Sequence, residues 1–117
     1  MPTIRTVTAL AAGGANANVL QGNQFEFIQT PSRVQVFAVQ EGAGVGEIEV
    51  FFGQELQLPQ TQPNLRAAGA GGPSVQDDGL VDDYAAPGDR LVVRVAETGG
   101  AAVTALRVLV KITPMAM

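Results

Sequence analysis

The sequence predicts an all-β fold, a sandwich or barrel of about seven or eight short antiparallel strands. Apolar residues recur with a period of two in segment after segment, as strands with one buried face require. No segment holds a 3.6-residue period over three turns. Glycine and proline, 14 and 7 of the 117 residues, punctuate the chain at short intervals, as turns between strands do. A chain of this length forms a single domain, residues 1–117, and buries a core without staples.

The elements follow in order. Thr3 to Leu10 is rich in β-branched residues and forms the first strand. Asn18 to Gln21 is a short strand or an extended approach. Asn23 to Gln29 puts Phe25 and Phe27 on one face and Glu26 and Ile28 on the other, then turns through Thr30-Pro31-Ser32. Arg33 to Gln40 sets Val34, Val36 and Ala38 against Phe37 and Val39. Glu47 to Phe52 points Ile48, Val50 and Phe52 inward and Glu47, Glu49 and Phe51 outward. The glycine-rich loop 41–46 joins these two strands as a hairpin. Leu56 and Leu58 form a short edge strand ending at Pro59. The stretch from about 54 to 88 then reads as a long irregular loop, either a binding loop or an arm. Arg90 to Glu97 sets Leu91, Val93 and Val95 against Arg90, Val92, Arg94 and Ala96. Ala102 to Thr113 sets Thr104, Leu106, Val108, Val110 and Ile112 against Val103, Ala105, Arg107, Leu109 and Lys111. Thr98-Gly99-Gly100 between them has the form of a hairpin loop, which makes this the clearest hairpin.

Composition narrows function. There is no histidine and no cysteine, which removes the commonest general base, the commonest nucleophile and the commonest transition-metal ligands together. The net charge is −4, and the arginines are scattered rather than clustered with aromatics. Both facts argue against a nucleic-acid-binding face. No apolar run approaches the roughly 18 residues of a membrane span. The first residues carry no signal-peptide h-region, so the start is expected to be a mature one.

Every aspartate lies between Asp77 and Asp89. Asp77, Asp78, Asp82 and Asp83 are the candidates for a cation site, since carboxylate oxygens suit Ca²⁺ or Mg²⁺. Their spacing departs from the Asp-x-Asp-x-Asp-Gly loop whose alternate positions converge on one ion. The competing reading is a solvated turn, with Pro87-Gly88 as the central pair of a type II turn. That reading is preferred, and no metal or cofactor is expected. Glu47 and Glu49 stand roughly 7 Å apart on one strand face, within the range for a glycosidase pair. Alternating glutamates are also the ordinary way to keep a strand face wet. Gly42-Ala43-Gly44-Val45-Gly46 lacks the Gly-Lys-Ser/Thr ending and the helix of a phosphate loop. Ser32 and Ser74 have no histidine to activate them. An enzyme is therefore not expected.

Phe51 and Phe52 are adjacent, so one of them must face away from the core. The same applies to Val39, Val92 and Leu109. Several such residues on neighbouring strands make a patch, and patches mark interfaces. Phe51, Val92 and Leu109, with Pro59, Pro63, Leu65 and Pro73 in the long loop, are the expected contact residues.

Leu20-Gln21-Gly22-Asn23-Gln24-Phe25-Glu26-Phe27 followed by Pro31-Ser32-Arg33-Val34-Gln35-Val36 resembles the early strands of small bacteriophage virion proteins. Ala86-Pro87-Gly88-Asp89-Arg90-Leu91-Val92-Val93-Arg94-Val95, with Gly99-Gly100 and Ala105 to Pro114, looks the same way. Single jelly-roll capsid, cement or decoration, and spike-base proteins share this style of short strands, glycine-alanine loops and few lysines. The resemblance implies an antiparallel β-sandwich of jelly-roll type. It also implies a virion location, assembly into trimers or pentamers, and contacts with other virion proteins. The expectation is thus a non-enzymatic structural subunit that binds neither nucleic acid nor membrane. The alternative is a carbohydrate- or Ca²⁺-dependent binding or adhesion module.

Overall fold

The computed structural model describes residues 3–65, 73 and 78–114. Among the described residues there are nine strands and no helix. A five-stranded sheet contains β1 (Thr3–Leu10), β3 (Ser32–Gly42), β6 (Asn64–Leu65), β7 (Gly79–Ala85) and β9 (Val103–Pro114). Its order is β1-β9-β3, with β6 and β7 sharing the other edge of β3. A four-stranded sheet runs β2-β8-β4-β5, from β2 (Ala15–Asn16), β8 (Leu91–Glu97), β4 (Gly46–Phe52) and β5 (Glu55–Thr61).

The pairing is nested. β1 pairs with β9, β2 with β8, β3 with β7 and β4 with β5, all antiparallel. The chain is one long hairpin with its tip at β4–β5, wound so that successive pairs alternate between the sheets. This is the winding of a jelly roll.

The inner faces follow the period of two. Val34, Val36, Ala38, Leu106, Val108, Val110 and Ile112 of the larger sheet meet Ile48, Val50, Phe52, Leu91, Val93 and Val95 of the smaller. Val103 departs from that parity. The ladder slips opposite Glu41/Gly42 and opposite Thr8/Leu10, so Val103 joins the core and Thr104 faces outward.

Both expected hairpins are corrected. β3 and β4 lie in different sheets, as do β8 and β9, so loops 42–46 and 98–102 are arches between layers. A strand in the opposite layer has the same inward parity as a neighbour in the same sheet, so periodicity does not separate the two cases. The arches lie side by side, with Gly44 N–H donating to Ala102 O at 3.0 Å and Thr98 N–H to Val45 O at 2.9 Å. A Cβ on Gly44 would collide with the Ala101 carbonyl. Gly42, at φ 113°, turns the chain out of β3.

Two further expectations change. Residues 23–29 are a run of turns rather than a strand, with one isolated bridge from Phe27 to Arg90. Their facing is reversed: Glu26 is buried and Phe27 is 52% exposed. The stretch 54–88 is not one irregular loop, because β5, β6 and β7 lie within it. Pro59 sits inside β5 rather than ending it, as an edge strand permits. Pro87-Gly88 does form the turn read from the sequence. Asp89 N–H donates to Ala86 O at 3.1 Å, and Gly88 has φ 88°.

Part of the outward face of the larger sheet is closed by its own chain, while Val7 and Tyr84 on its edge strands stay exposed. Phe37, Val39 and Leu109 are 3%, 0% and 3% exposed. β6 pairs alongside Val39, Gly79 lies against the Phe37 ring, and Pro73 borders the same groove as Leu109. Arg107 Nε donates to the buried Glu41 carboxylate at 2.7 Å on this face. The expected contact role of Leu109 is therefore corrected, because the side chain is closed off within its own chain, in a groove that Pro73 borders. Pro63, on the crossing from β5 to β6, is buried too. Leu109→Ala should lower the unfolding free energy by about 2–5 kcal/mol in urea titrations, as for a buried leucine. A change near zero would mean that the residue is not enclosed.

Candidate functional site

The candidate cation ligands do not converge. Asp78 is buried, and its Oδ1 accepts from Asn64 Nδ2 at 2.9 Å. Asp82 is clamped by Arg33, whose Nε and Nη2 donate to its two oxygens at 2.8 and 2.6 Å. That guanidinium holds the Asp82 carboxyl below its usual range. Asp83, exposed on the opposite side of β7, accepts from the Tyr84 N–H at 2.8 Å. Asp77 lies outside the described residues. Among the described residues no three acidic groups gather into a cation site. The glutamate pair is engaged as well: Glu49 accepts from Arg94 at 3.1 Å, and Glu47 from the Thr98 hydroxyl at 3.3 Å.

Four buried polar side chains hold the arches together, and the sequence reading singled out none of them. Glu97 ends β8 on its inward face, in phase with Leu91, Val93 and Val95. Its carboxylate accepts N–H donors from Gly13, Val45, Gly99 and Gly100, which belong to three separate connections. Those donors, Gly13 first, hold its pKa down to about 2 against the opposing effect of burial. Gln40, in phase with Val34, Val36 and Ala38, donates to Gly44 O at 2.7 Å and accepts from Gly46 N–H at 2.8 Å. At the other end, Asn18 Oδ1 accepts from the Leu20 and Val93 N–H groups, and its Nδ2 donates to Leu91 O and Glu26. Glu26 also accepts from Gly22 N–H and Arg90 Nε. Inward parity was the available signal for Glu97 and Gln40. Asn18 and Glu26 lie on turns and left none.

The open surface is the outward face of the four-stranded sheet. Register places Val92 of β8 beside Phe51 of β4, and Phe51 beside Leu56 of β5. An apolar row thus crosses three strands, half-buried at Val92 and Phe51 and 49% exposed at Leu56. The next row holds Arg94 beside Glu49, and the guanidinium stands 5.6 Å from the Phe51 ring centre. A third row sets Ala15 and Ala96 beside Glu47. A trough of about 410 Å³ runs past Ala17, Glu47, Glu49, Gln60 and Arg94. A hollow of about 300 Å³ adjoins it, between Ala17 and Gln21 on one side and Phe51 and Val92 on the other.

Two of the expected contact residues, Phe51 and Val92, are therefore brought together, and Pro59 is exposed on the edge strand of the same sheet. Leu65 is exposed on β6 and Pro73 is half-buried, both with the larger sheet. The rest of the Pro59 to Pro73 segment, residues 66–72, lies outside the described residues. No family model, curated protein or solved structure matches the chain.

Glu97 carries a pH dependence. Its folded pKa lies below the ordinary 4.5, so its contribution to stability is complete above that value and is lost as pH falls toward about 2. Melting temperatures should drop across that window. Glu97→Gln should melt about 5–15 °C lower at neutral pH, as buried N–H groups lose a charged acceptor. It should also show a shallower acid limb. Parallel melting-versus-pH curves for the two proteins would contradict this.

Proposed function

We propose that this chain is a non-catalytic structural subunit of a homo-oligomeric assembly, of the capsid or capsid-decoration kind in a virion. Trimeric or pentameric units would be linked to one another, one copy of each to one copy of the next, through the open face of the four-stranded sheet. One observation carries the reading: Leu56, Phe51 and Val92 line up across adjacent strands and keep their outer sides open, Leu56 at 49% exposure. On the larger sheet Phe37, Val39 and Leu109 are enclosed, and the exposed Val7, Leu65 and Tyr84 lie apart on the edge strands β1, β6 and β7. A row left open across three adjacent strands suits a contact repeated between copies, and repetition makes a modest contact strong. The jelly-roll winding agrees with this use, since capsid domains are among its hosts, although fold alone does not fix function. The acids support a non-catalytic reading. Glu26, Glu41 and Glu97 are buried and hydrogen-bonded as structural groups, and Asp82 is paired.

A carbohydrate-binding module is the second reading. The polar groups of Glu47, Gln60 and Arg94 along the trough favour it. Analytical ultracentrifugation and electron microscopy separate the two. The assembly reading expects concentration-dependent oligomers, resolved as rings or shells, that Phe51→Glu or Val92→Glu breaks into smaller units without loss of fold. A monomer at all concentrations, with oligosaccharide binding abolished by Arg94→Ala, would replace it with the second.

A further inference from the structure

We infer that the open face of the four-stranded sheet is complementary to itself about a two-fold axis that lies along the strands, between β8 and β4. The inference rests on the assembly reading and specifies its contact.

β8 and β4 are the two central strands of the order β2-β8-β4-β5. A two-fold axis between them, in the plane of contact, lays β8 of one copy over β4 of the second and leaves the rows in register. Each row then meets its own complement. Val92 faces Phe51 of the second copy, and Phe51 faces its Val92. Arg94 faces Glu49, and Glu49 faces Arg94, so the two in-chain ion pairs close into a ring of four alternating charges. Packed sheets stand about 10 Å apart, a gap that an arginine and a glutamate bridge together. β5 comes to lie over β2. The projecting Leu56 is thereby carried toward the hollow beside Ala17 and Val92 of the other copy, and the same happens in reverse. An axis across the strands through the Arg94 row would instead lay β8 on β8 and bring Arg94 onto Arg94, and one displaced along the strands would leave each Arg94 facing an apolar row. The charge pattern selects against either arrangement. A contact of this kind is isologous and closes on two copies.

The charges give a test. Glu49→Arg alone makes the facing pairs arginine against arginine, and Arg94→Glu alone makes them glutamate against glutamate. Each variant alone should associate at least about tenfold more weakly than wild type. Mixed in equal amounts, the two should form a heterodimer of near wild-type affinity, because every facing pair is again opposite in sign. A purely in-chain role for Arg94–Glu49 predicts no recovery on mixing. Since the chain has no cysteine, Leu56→Cys and Ala17→Cys provide an independent check. A short bis-maleimide should link the two variants to each other more than either to itself. Wild-type association without recovery on mixing and without that cross-link would overturn the axis and leave the assembly reading standing. A wild-type protein that never associates would end both.

Discussion

The wound hairpin forces six of the eight connections between strands to pass from one sheet to the other. Backbone groups on such crossings have no ladder to join, and burying them unpaired is costly. Side chains aimed inward supply the missing partners. Glu97 takes four N–H donors from three connections, so one carboxylate fixes the mutual position of the chain before β2, the β3–β4 arch and the β8–β9 arch. Gln40 closes the β3–β4 arch from within. Asn18 and Glu26 do the equivalent work at the opposite end, tying the turns after β2 to β8. The apolar core sets the distance between the sheets, and these polar groups set which loop lies against which.

The two outward faces of the sandwich differ in which apolar residues they leave open. On the larger sheet, Phe37, Val39 and Leu109 are enclosed, and the Arg107–Glu41 pair is drawn partly out of water with them. On the smaller sheet, the row from Val92 to Leu56 keeps its exposure. Similar outward sequence patterns thus have different exposure, with Pro73 and Gly79 lying against Leu109 and Phe37 on the larger sheet.

Individual strands were legible in the sequence where one face is apolar and regular, as in β4, β8 and most of β9. Their partners were not. Period-two patterning states which side chains point inward, and a glycine-bearing link of a few residues serves a hairpin and an inter-sheet arch equally well. Phe25-Glu26-Phe27-Ile28 imitated a strand because apolar and acidic residues alternate there; burial of the Glu26 carboxylate by Arg90, Asn18 and Gly22 inverted the expected facing. Leu109 was given the right face and the wrong exposure, since its cover comes from a segment remote in sequence. Phe51 and Val92 were legible as outward residues. Their alignment across β4 and β8 depends on register, which the sequence does not print.

The open face is also self-sufficient. Arg94 is satisfied within its own sheet, stacked on Phe51 and paired with Glu49, so a solitary copy leaves no buried charge stranded. An exposed pair of this kind contributes little on its own. Its value to a contact lies in orientation: alternating charges across a two-fold axis reject like-charge alignments more strongly than they reward the correct one. In the proposed contact, adhesion would then come from the apolar row and from the fit of Leu56 into the hollow beside Ala17 and Val92. That division of labour would let the proposed subunit remain folded before it assembles and accept only one orientation of its neighbour when it does.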